Sequence, residues 1–264
     1  MTLRILHFSD IHFGGENVRA LAAAQAYARS APFDLLVISG DLTQTGSKPQ
    51  FAAARSWIAG LPLPVMALPG NHDTPWLGLI QRVFAPFGRF ERSIGPAAEC
   101  SFENEKLAVR AFNSARGWQL RMNWSKGSVS RGQAERAARA LEAAPVGALR
   151  IATCHHPLLE AQGEPMTALV RGGRSAAEIL VKAGADIILT GHLHAPFVEA
   201  LPFGDNQTFA VGAGTLSLRQ RGVPPGFNVL EVAGDQLTVK ALGWVDPELT
   251  TQNTWVVKLR ARMC

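Results

Sequence analysis

Cysteine is scarce in this sequence and follows no pattern. Three cysteines, Cys100, Cys154 and Cys264, occur among 264 residues. An odd and unpatterned set indicates neither a disulfide framework nor a zinc site built from thiolates. We therefore expect three free thiols.

The sequence also lacks a long apolar run. No stretch approaches the roughly 20 apolar residues that span a bilayer, and the first residues do not read as a basic-then-apolar signal peptide. We therefore expect a protein without a membrane span that stays in the cytoplasm. Aromatic side chains are not interleaved with lysine and arginine, as base-stacking surfaces require, so we expect no nucleic-acid partner.

What is present is the composition of a globular protein. Hydrophobic residues make up 47% of the chain and charged residues 18%, with 25 glycines and 16 prolines for tight turns. The length is sufficient for one large core, and we expect a single domain over residues 1–264. The formal net charge of +5 favours anionic partners through long-range attraction.

Five short apolar runs end in side chains that can bind metals or protons. The runs and the residues after them are 3–8 with Asp10 and His12, 35–39 with Gly40-Asp41, 64–68 with Gly70-Asn71-His72-Asp73, 149–154 with His155-His156-Pro157, and 187–190 with Gly191-His192-Leu193-His194. Continuous apolar runs predict parallel strands buried on both faces. Because α/β sheets carry their sites beyond the carboxyl ends of strands, we expect these side chains to meet at one edge.

Helical patterns separate the strands. The predicted helices are residues 18–30, residues 48–59, a helix from Ser130 to Ala144, and a helix from Ser175 that ends near Gly184. The last two begin with capping-box patterns, Ser130 with Gln133 and Ser175 with Glu178. Thr74 followed by Pro75 predicts a further helix start.

Extended patterns in the second half of the chain predict additional strands. Residues 98–102 and 106–112 indicate an antiparallel hairpin, so the sheet is expected to be mixed. Later runs at 197–201, 208–212, 227–232 and 236–242 indicate a second sheet packed on the first. Residues 114–130 show no periodicity and are predicted to form a long loop, and loops of this length are usually functional or disordered.

The side chains after the five strands form a donor set without thiolates. Carboxylate, amide and imidazole groups suit manganese, iron, zinc and similar divalent ions. They are too many for one tetrahedral ion, whereas two ions about 3.5–4 Å apart would use them all. Such a pair activates a hydroxide and neutralises a phosphoryl group, so the pattern indicates phosphoester chemistry.

From Asp10 to His194 these blocks and their order resemble the calcineurin-like metallophosphoesterases. Gly-Asn-His-Asp and His-His-Pro are most similar to class III cyclic nucleotide phosphodiesterases and related glycerophosphodiesterases. With the element pattern, the resemblance implies an α/β fold: a four-layer α/β/β/α sandwich of two mixed sheets flanked by helices. A dinuclear metal site is expected at the carboxyl ends of the strands.

The resemblance assigns ligands to two divalent ions, expected to be manganese, iron or zinc. Asp10, His12 and His194 would hold one ion, Asn71, His155 and His192 the other, and Asp41 would bridge both. His156 remains an alternative to His155, because a shift of one residue turns a strand side chain to the other face.

His72 and Asp73 are expected to be catalytic. The resemblance makes His72 the group that stabilises or protonates the leaving oxygen, and Asp73 would orient its imidazole and keep it protonated. Acid assistance of this kind typically accelerates a reaction about a hundred- to ten-thousandfold.

The resemblance favours a phosphodiesterase that attacks a small anionic diester, a cyclic nucleotide or glycerophosphodiester, with a metal-bridging hydroxide. A nucleotide or lipid pyrophosphatase or a phosphomonoesterase is the alternative, because the metal core does not distinguish them. A non-catalytic metal-binding scaffold is a third possibility. His72 argues against it, since a structural site has no use for an imidazole beside its metals.

Residues that overhang the site are expected to select the substrate. The candidates are Asn113, Arg116, Arg171 and Arg174, since arginine offers planar donors to phosphate oxygens. Arg121 lies in the same loop as Arg116. This loop and the hairpin are also a candidate surface for a homodimer.

Overall fold

The computed structural model describes residues 2–120, 123–160 and 170–261, so that Arg121 and Cys264 lie outside the described residues. The described chain forms twelve strands and six helices. The strands are β1 (Leu3–Phe8), β2 (Leu35–Ile38), β3 (Val65–Ala67), β4 (Glu99–Glu103), β5 (Leu107–Phe112), β6 (Leu149–Thr153), β7 (Ile187–Thr190), β8 (Phe197–Ala200), β9 (Phe209–Gly212), β10 (Gly226–Ala233), β11 (Gln236–Val245) and β12 (Glu248–Lys258). The helices are α1 (Val18–Ser30), α2 (Lys48–Ala59), α3 (Leu79–Phe84), α4 (Gly88–Ser93), α5 (Arg131–Glu142) and α6 (Gly173–Lys182). Within these residues, no helix has the length and apolar character needed to cross a bilayer.

The strands form two mixed sheets of six strands each. The first has the order β12-β11-β10-β1-β2-β3 and the second the order β4-β5-β6-β7-β9-β8. Strands β1, β2 and β3 run parallel, as do β5, β6, β7 and β9. The predicted hairpin is confirmed as β4 and β5, which pair antiparallel at the edge of the second sheet.

Alternate side chains of the strands face two different cores, as the twofold period of a strand requires. Ile5 and Leu35 point into the apolar core between the sheets. Leu6 and Leu36 point the other way and pack against α1 and α2. Beyond the second sheet, Ile188 packs against α5 and α6. The result is the expected four-layer α/β/β/α sandwich.

The late strands do not form the second sheet by themselves, and that expectation is wrong. β10 pairs antiparallel with β1 and brings β11 and β12 into the first sheet, while β8 and β9 join the second. β12 was not predicted at all, because it is a largely exposed edge strand with a polar middle. Tertiary packing, rather than local pattern, decides which distant strands pair.

Two predicted helix starts are also wrong. The hydroxyl of Thr74 donates to the carbonyl of Asn71 (2.9 Å) instead of capping a helix, and the next helix, α3, begins at Leu79. α6 begins before Ser175, because Gly172 opens it with a left-handed backbone (φ 77°). In contrast, α1 and α2 have the predicted bounds, and α5 begins with the predicted capping box.

Candidate metal centre

The carboxyl ends of five parallel strands converge on one buried site. β1, β2 and β3 reach it from the first sheet, and β6 and β7 reach it from the second. The seven predicted metal ligands lie just beyond these ends and are all buried: Asp10, His12, Asp41, Asn71, His155, His192 and His194.

Asp10, His12 and His194 form a first group. Nε2 of His194 lies 3.1 Å and Nε2 of His12 lies 3.7 Å from Oδ1 of Asp10. The two imidazole nitrogens are 3.4 Å apart. Three ligand atoms that converge in this way could hold one metal ion.

Asp41 connects this group to a second one. Oδ2 of Asp41 is 3.8 Å from Nε2 of His12 and 3.2 Å from Nε2 of His155. The ring of His192 lies 5.3 Å from that of His155, centre to centre. A carboxylate oxygen within reach of both groups has the geometry of a ligand shared between two ions.

Buried atoms without partners show that divalent ions fit this donor set. Oδ1 of Asn71 makes no hydrogen bond to the described part of the chain. Oδ1 of Asp10 and Nε2 of His155 have only other ligand candidates as polar neighbours, at 3.1 and 3.2 Å. Buried polar atoms are rarely left unsatisfied, because burial without a partner costs free energy. Oxygen and imidazole donors of this kind suit manganese, iron and zinc.

Burial and mutual charge set the protonation of the site. Burial acts to raise the pKa of Asp10, but the neighbouring imidazoles of His194 and His155 lower it well below its usual range. Burial lowers the pKa of His192 to about 3. Although burial opposes it, the charges of Asp41 and Asp10 raise the pKa of His155 to about 9, so a cation bound there would displace a proton.

Five of the ligand candidates have a left-handed backbone. They are Asp10, His12, Asp41, His192 and His194, with φ between 50° and 69°. In the described chain Asn206 is the only other residue besides glycine with this conformation. It costs about 1–3 kcal/mol per residue and persists where the surroundings enforce it, typically at functional sites.

Backbone carbonyls orient two of the imidazoles. Nδ1 of His155 donates to the carbonyl of Ser39 (2.8 Å), and Nδ1 of His194 donates to the carbonyl of Arg219 (2.7 Å). Each bond keeps a proton on Nδ1, so that Nε2 is the nitrogen that points into the site and would bind a metal ion after losing any proton it carries.

The glycine of the Gly-His-Leu-His block permits a close approach between the two sheets. A Cβ atom at Gly191 would collide with Oγ of Ser9 and Oδ2 of Asp10. That oxygen of Asp10 accepts hydrogen bonds from Ser9 (2.6 Å) and from the backbone of His192 (2.9 Å). The contact therefore leaves Oδ1 of Asp10 to face the other ligands.

The geometry favours His155 over His156 as a ligand. The nitrogens of both rings and of His192 lie within 4.8 Å of one another. Both ring nitrogens of His156 already have partners, Oγ of Ser114 (2.8 Å) and the carbonyl of Ser125 (2.7 Å). Nε2 of His155, in contrast, faces the ligand candidates.

Asp73 does not orient His72, and that expectation is wrong. Its carboxylate accepts four hydrogen bonds of 2.8–3.1 Å from three backbone N–H groups and one hydroxyl. The donors are the N–H groups of Leu42, Thr43 and Gly70 and the hydroxyl of Thr43. Asp73 therefore joins the loops that follow β2 and β3.

His72 instead contacts Gln44 and Arg219. Nδ1 of His72 lies 2.8 Å from the carbonyl of Gln44, and Nε2 lies 2.8 Å from Nη1 of Arg219. A guanidinium group can only donate, so Nε2 accepts this bond and Nδ1 carries the ring proton.

Asn113 and Arg116 are occupied by local contacts and do not reach the ligand groups. Oδ1 of Asn113 accepts from the backbone of Ala115 (2.8 Å). The guanidinium of Arg116 donates to the carbonyls of Asn113 and Ala115 and to Oε1 of Gln133. Both residues therefore shape the loop before α5, and a direct substrate contact is not supported.

Arg171 and Arg174 also make contacts with residues other than the ligand candidates. Arg174 pairs with Glu178 (3.2 Å) on α6 and stacks over the ring of Phe203. Arg171 is exposed, and its backbone pairs with that of Ser128. These contacts do not support a substrate role for Arg171 or Arg174, which stays a prediction.

Arg219 is the site residue that sequence reasoning missed. It lies in the loop after β9, in the run Leu216-Ser217-Leu218-Arg219, which matches no motif. Only the position of β9 beside β7 brings this loop over the site, and that pairing is not visible in the local sequence.

The chain belongs to the calcineurin-like phosphoesterase family, whose family model matches residues 3–196. Membership supports a phosphoester hydrolase that uses divalent metals. The chain is 25% identical over 270 residues to a probable cyclic nucleotide phosphodiesterase of Synechococcus sp., with 94% of each protein covered. It is 29% identical over 119 residues to the glycerophosphodiester phosphodiesterase GpdQ of Enterobacter lignolyticus. This match covers 41% of this chain and 40% of that protein.

Solved structures share the fold. Purple acid phosphatase PPD1 from yellow lupin has a TM-score of 0.73 at 14% identity, and the match covers 98% of this chain and 54% of that one. GAP50, the anchor in the inner membrane complex of Plasmodium, has a TM-score of 0.62 at 15% identity and 90% coverage of its chain. At these identities the likeness concerns the fold alone.

Proposed function

We propose that the protein is a metal-dependent phosphodiesterase that hydrolyses a small anionic phosphodiester. The observation that carries this proposal is Oδ2 of Asp41, which lies within 3.8 Å of imidazole nitrogens from both ligand groups. The names of two relatives, a cyclic nucleotide phosphodiesterase and a glycerophosphodiester phosphodiesterase, support a diester over a monoester.

The ligand set supports two ions, with manganese, iron or zinc as candidates. Asp10, His12 and His194 would hold one, Asn71, His155 and His192 the other, and Asp41 both. Two such ions supply Lewis acidity to the phosphoryl oxygens and a nucleophilic water at neutral pH.

Arg219 and His72 would act on the substrate together. The fork of a guanidinium suits phosphoryl oxygens, and a phosphate that binds Arg219 draws its Nη1 away from Nε2 of His72. Nε2 can then take up a proton and donate it to the leaving oxygen, while the carbonyl of Gln44 holds the ring in place.

The proposal is tested by hydrolysis of bis(p-nitrophenyl) phosphate and p-nitrophenyl phosphate with added Mn²⁺. We expect turnover of the diester to exceed that of the monoester, and Asp41→Asn to abolish it. Asp235→Asn is the matched control, because this partly exposed residue lies in the turn between β10 and β11 and pairs with Lys258 (3.4 Å).

Monoester preference would contradict the diester assignment and favour the phosphatase alternative. Absence of turnover of either ester, and of a nucleotide pyrophosphate, would favour a non-catalytic scaffold. If the parent hydrolyses the diester, a panel of cyclic nucleotides and glycerophosphodiesters would then identify the substrate class.

A further inference from the structure

Exposed apolar side chains are concentrated beside the site. Eight of the thirteen large apolar side chains that are exposed in the described chain belong to residues 76–84 and 118–120, which we call the apolar rim. The most exposed are Leu120 (88%), Leu77 (87%), Phe84 (84%) and Ile80 (78%). α3 lies within the rim and buries none of its side chains. A contiguous apolar patch of this kind marks an interaction surface.

The two segments of the apolar rim form one continuous surface. Nε of Arg82 donates to the carbonyl of Gly117 (2.9 Å), and its guanidinium lies 5.4 Å from the ring of Trp124. Gly117 packs so closely that a Cβ atom there would collide with the carbonyl of Arg82 and the ring of Pro86. The rim is therefore held together by the chain itself.

The apolar rim borders the opening of the metal centre. Trp76 and Arg82 line the same cavity as Asn71 and His72. Trp76 and Arg82 also line the neighbouring surface pocket with Trp124. A partner on the rim would therefore face the opening of the site.

Positive charge surrounds the apolar rim. Among the described residues of 75–95 and 113–128, four are arginines and one is acidic: Arg82, Arg89, Arg92, Arg116 and Glu91. The guanidinium groups of Arg82, Arg89 and Arg116 donate to carbonyl and amide oxygens, and none has a carboxylate partner among the described residues.

We propose that the apolar rim docks the protein on an anionic lipid surface. Exposed apolar and tryptophan side chains insert at the boundary of head groups and acyl chains, and the positive charge around them attracts an anionic lipid surface. A second copy fits less well, because a symmetric contact would join two surfaces of the same positive charge. The proposal does not depend on the reaction that the site performs.

Flotation with lipid vesicles tests this proposal. The full chain, loaded with Mn²⁺, is mixed with vesicles of phosphatidylcholine alone or with added phosphatidylglycerol. We expect at least about tenfold more protein on the anionic vesicles, and less binding at high salt. The double variant Ile80→Glu, Phe84→Glu is expected to lose this binding by about tenfold or more.

Val146→Glu is the matched control, because Val146 is equally exposed (79%) but lies outside the apolar rim, and it should bind as the parent does. An unchanged thermal unfolding midpoint of the double variant shows that its fold is intact. Equal binding to both vesicles, or none, would overturn the proposal. The proposal would also be overturned if the parent were a dimer and the double variant a monomer, since a second copy would then cover the rim.

Discussion

His72 and Asp73 are neighbours in sequence with separate structural tasks. His72 faces the opening of the site and contacts Arg219 (2.8 Å), whereas Asp73 points into the protein and accepts hydrogen bonds from two loops. The resemblance predicts a catalytic pair in which Asp73 orients the imidazole of His72. The backbone after β3 instead turns the two side chains in different directions.

For His72→Gln we expect a fall in kcat of about a hundred- to ten-thousandfold, the usual contribution of a positioned acid. Bound Mn²⁺ should stay at the parental level, because His72 is not among the proposed ligands. Steady-state kinetics and elemental analysis of the same preparation measure both quantities. Parental kcat, or loss of metal, would contradict the assigned role.

Asp73→Asn should act on stability. The carboxylate accepts four hydrogen bonds, whereas the amide keeps one oxygen and turns an N–H group toward two of the four donors. Loss of the charge acts in the opposite direction, because burial and Asp41 raise the pKa of Asp73 to about 6. The unsatisfied donors dominate, and we expect the free energy of unfolding in urea to decrease by about 1.5–3 kcal/mol at neutral pH. The surface variant Asp235→Asn should lie within about 1 kcal/mol of the parent. If Asp73→Asn had parental stability and a kcat as low as that of His72→Gln, Asp73 would instead act with His72 in catalysis.

Arg219→Gln should weaken phosphate binding. The variant retains a hydrogen-bond donor but loses the charge and the planar fork, so we expect KM for the diester and the inhibition constant of inorganic phosphate both to rise by about tenfold. Arg219→Lys should recover only part of this loss, because lysine restores the charge but not the fork. Parental inhibition by phosphate in both variants would place the phosphate elsewhere.

The elements that carry the ligands are predictable from local sequence, and their partners are not. α1 and α2 have their predicted bounds, and the strands before Asp10, Asp41 and His192 coincide with the predicted apolar runs. The assignment of strands to sheets fails because β1 pairs with β10, from the opposite end of the chain. The same long-range pairing explains why Arg219 was missed.

Arg260, two residues after the end of β12, contacts the second sheet and the loops beside it. Arg260 makes a two-pronged contact with Asp205 (2.7 and 2.9 Å), in the loop between β8 and β9, and donates to the carbonyl of Ala185 (2.9 Å). The hydrogen bond to Arg260 lowers the pKa of Asp205 to about 2.

This contact predicts a pH-dependent effect of Asp205→Asn on the metal-free protein. Because the pKa of Asp205 is lower in the folded than in the unfolded chain, the pair stabilises the fold above about pH 4, and the contribution is lost as the pH falls toward 2. We expect the variant to be less stable than the parent at pH 6 and the difference to shrink below pH 4. Urea unfolding midpoints of parent and variant at pH 6 and below pH 4 measure this difference in stability. A difference that grows on acidification would contradict the prediction.

In the whole molecule, the packing of two sheets creates the site. Asp41 comes from the first sheet and His155 from the second, and their side chains meet at 3.2 Å only because the carboxyl ends of both sets of parallel strands lie together. The sequence predicts that these residues converge, since each follows a buried strand. It does not predict the apolar rim, because exposure follows from packing.

We propose that Asp41 would bind two divalent ions at once. The most direct test of this proposal is the Mn²⁺ content of protein that has been stripped with a chelator, reloaded and dialysed, measured by elemental analysis for the parent and for Asp41→Asn. We expect about two ions per parental chain and at most about one in the variant. One ion in the parent, or two retained in Asp41→Asn, would contradict it.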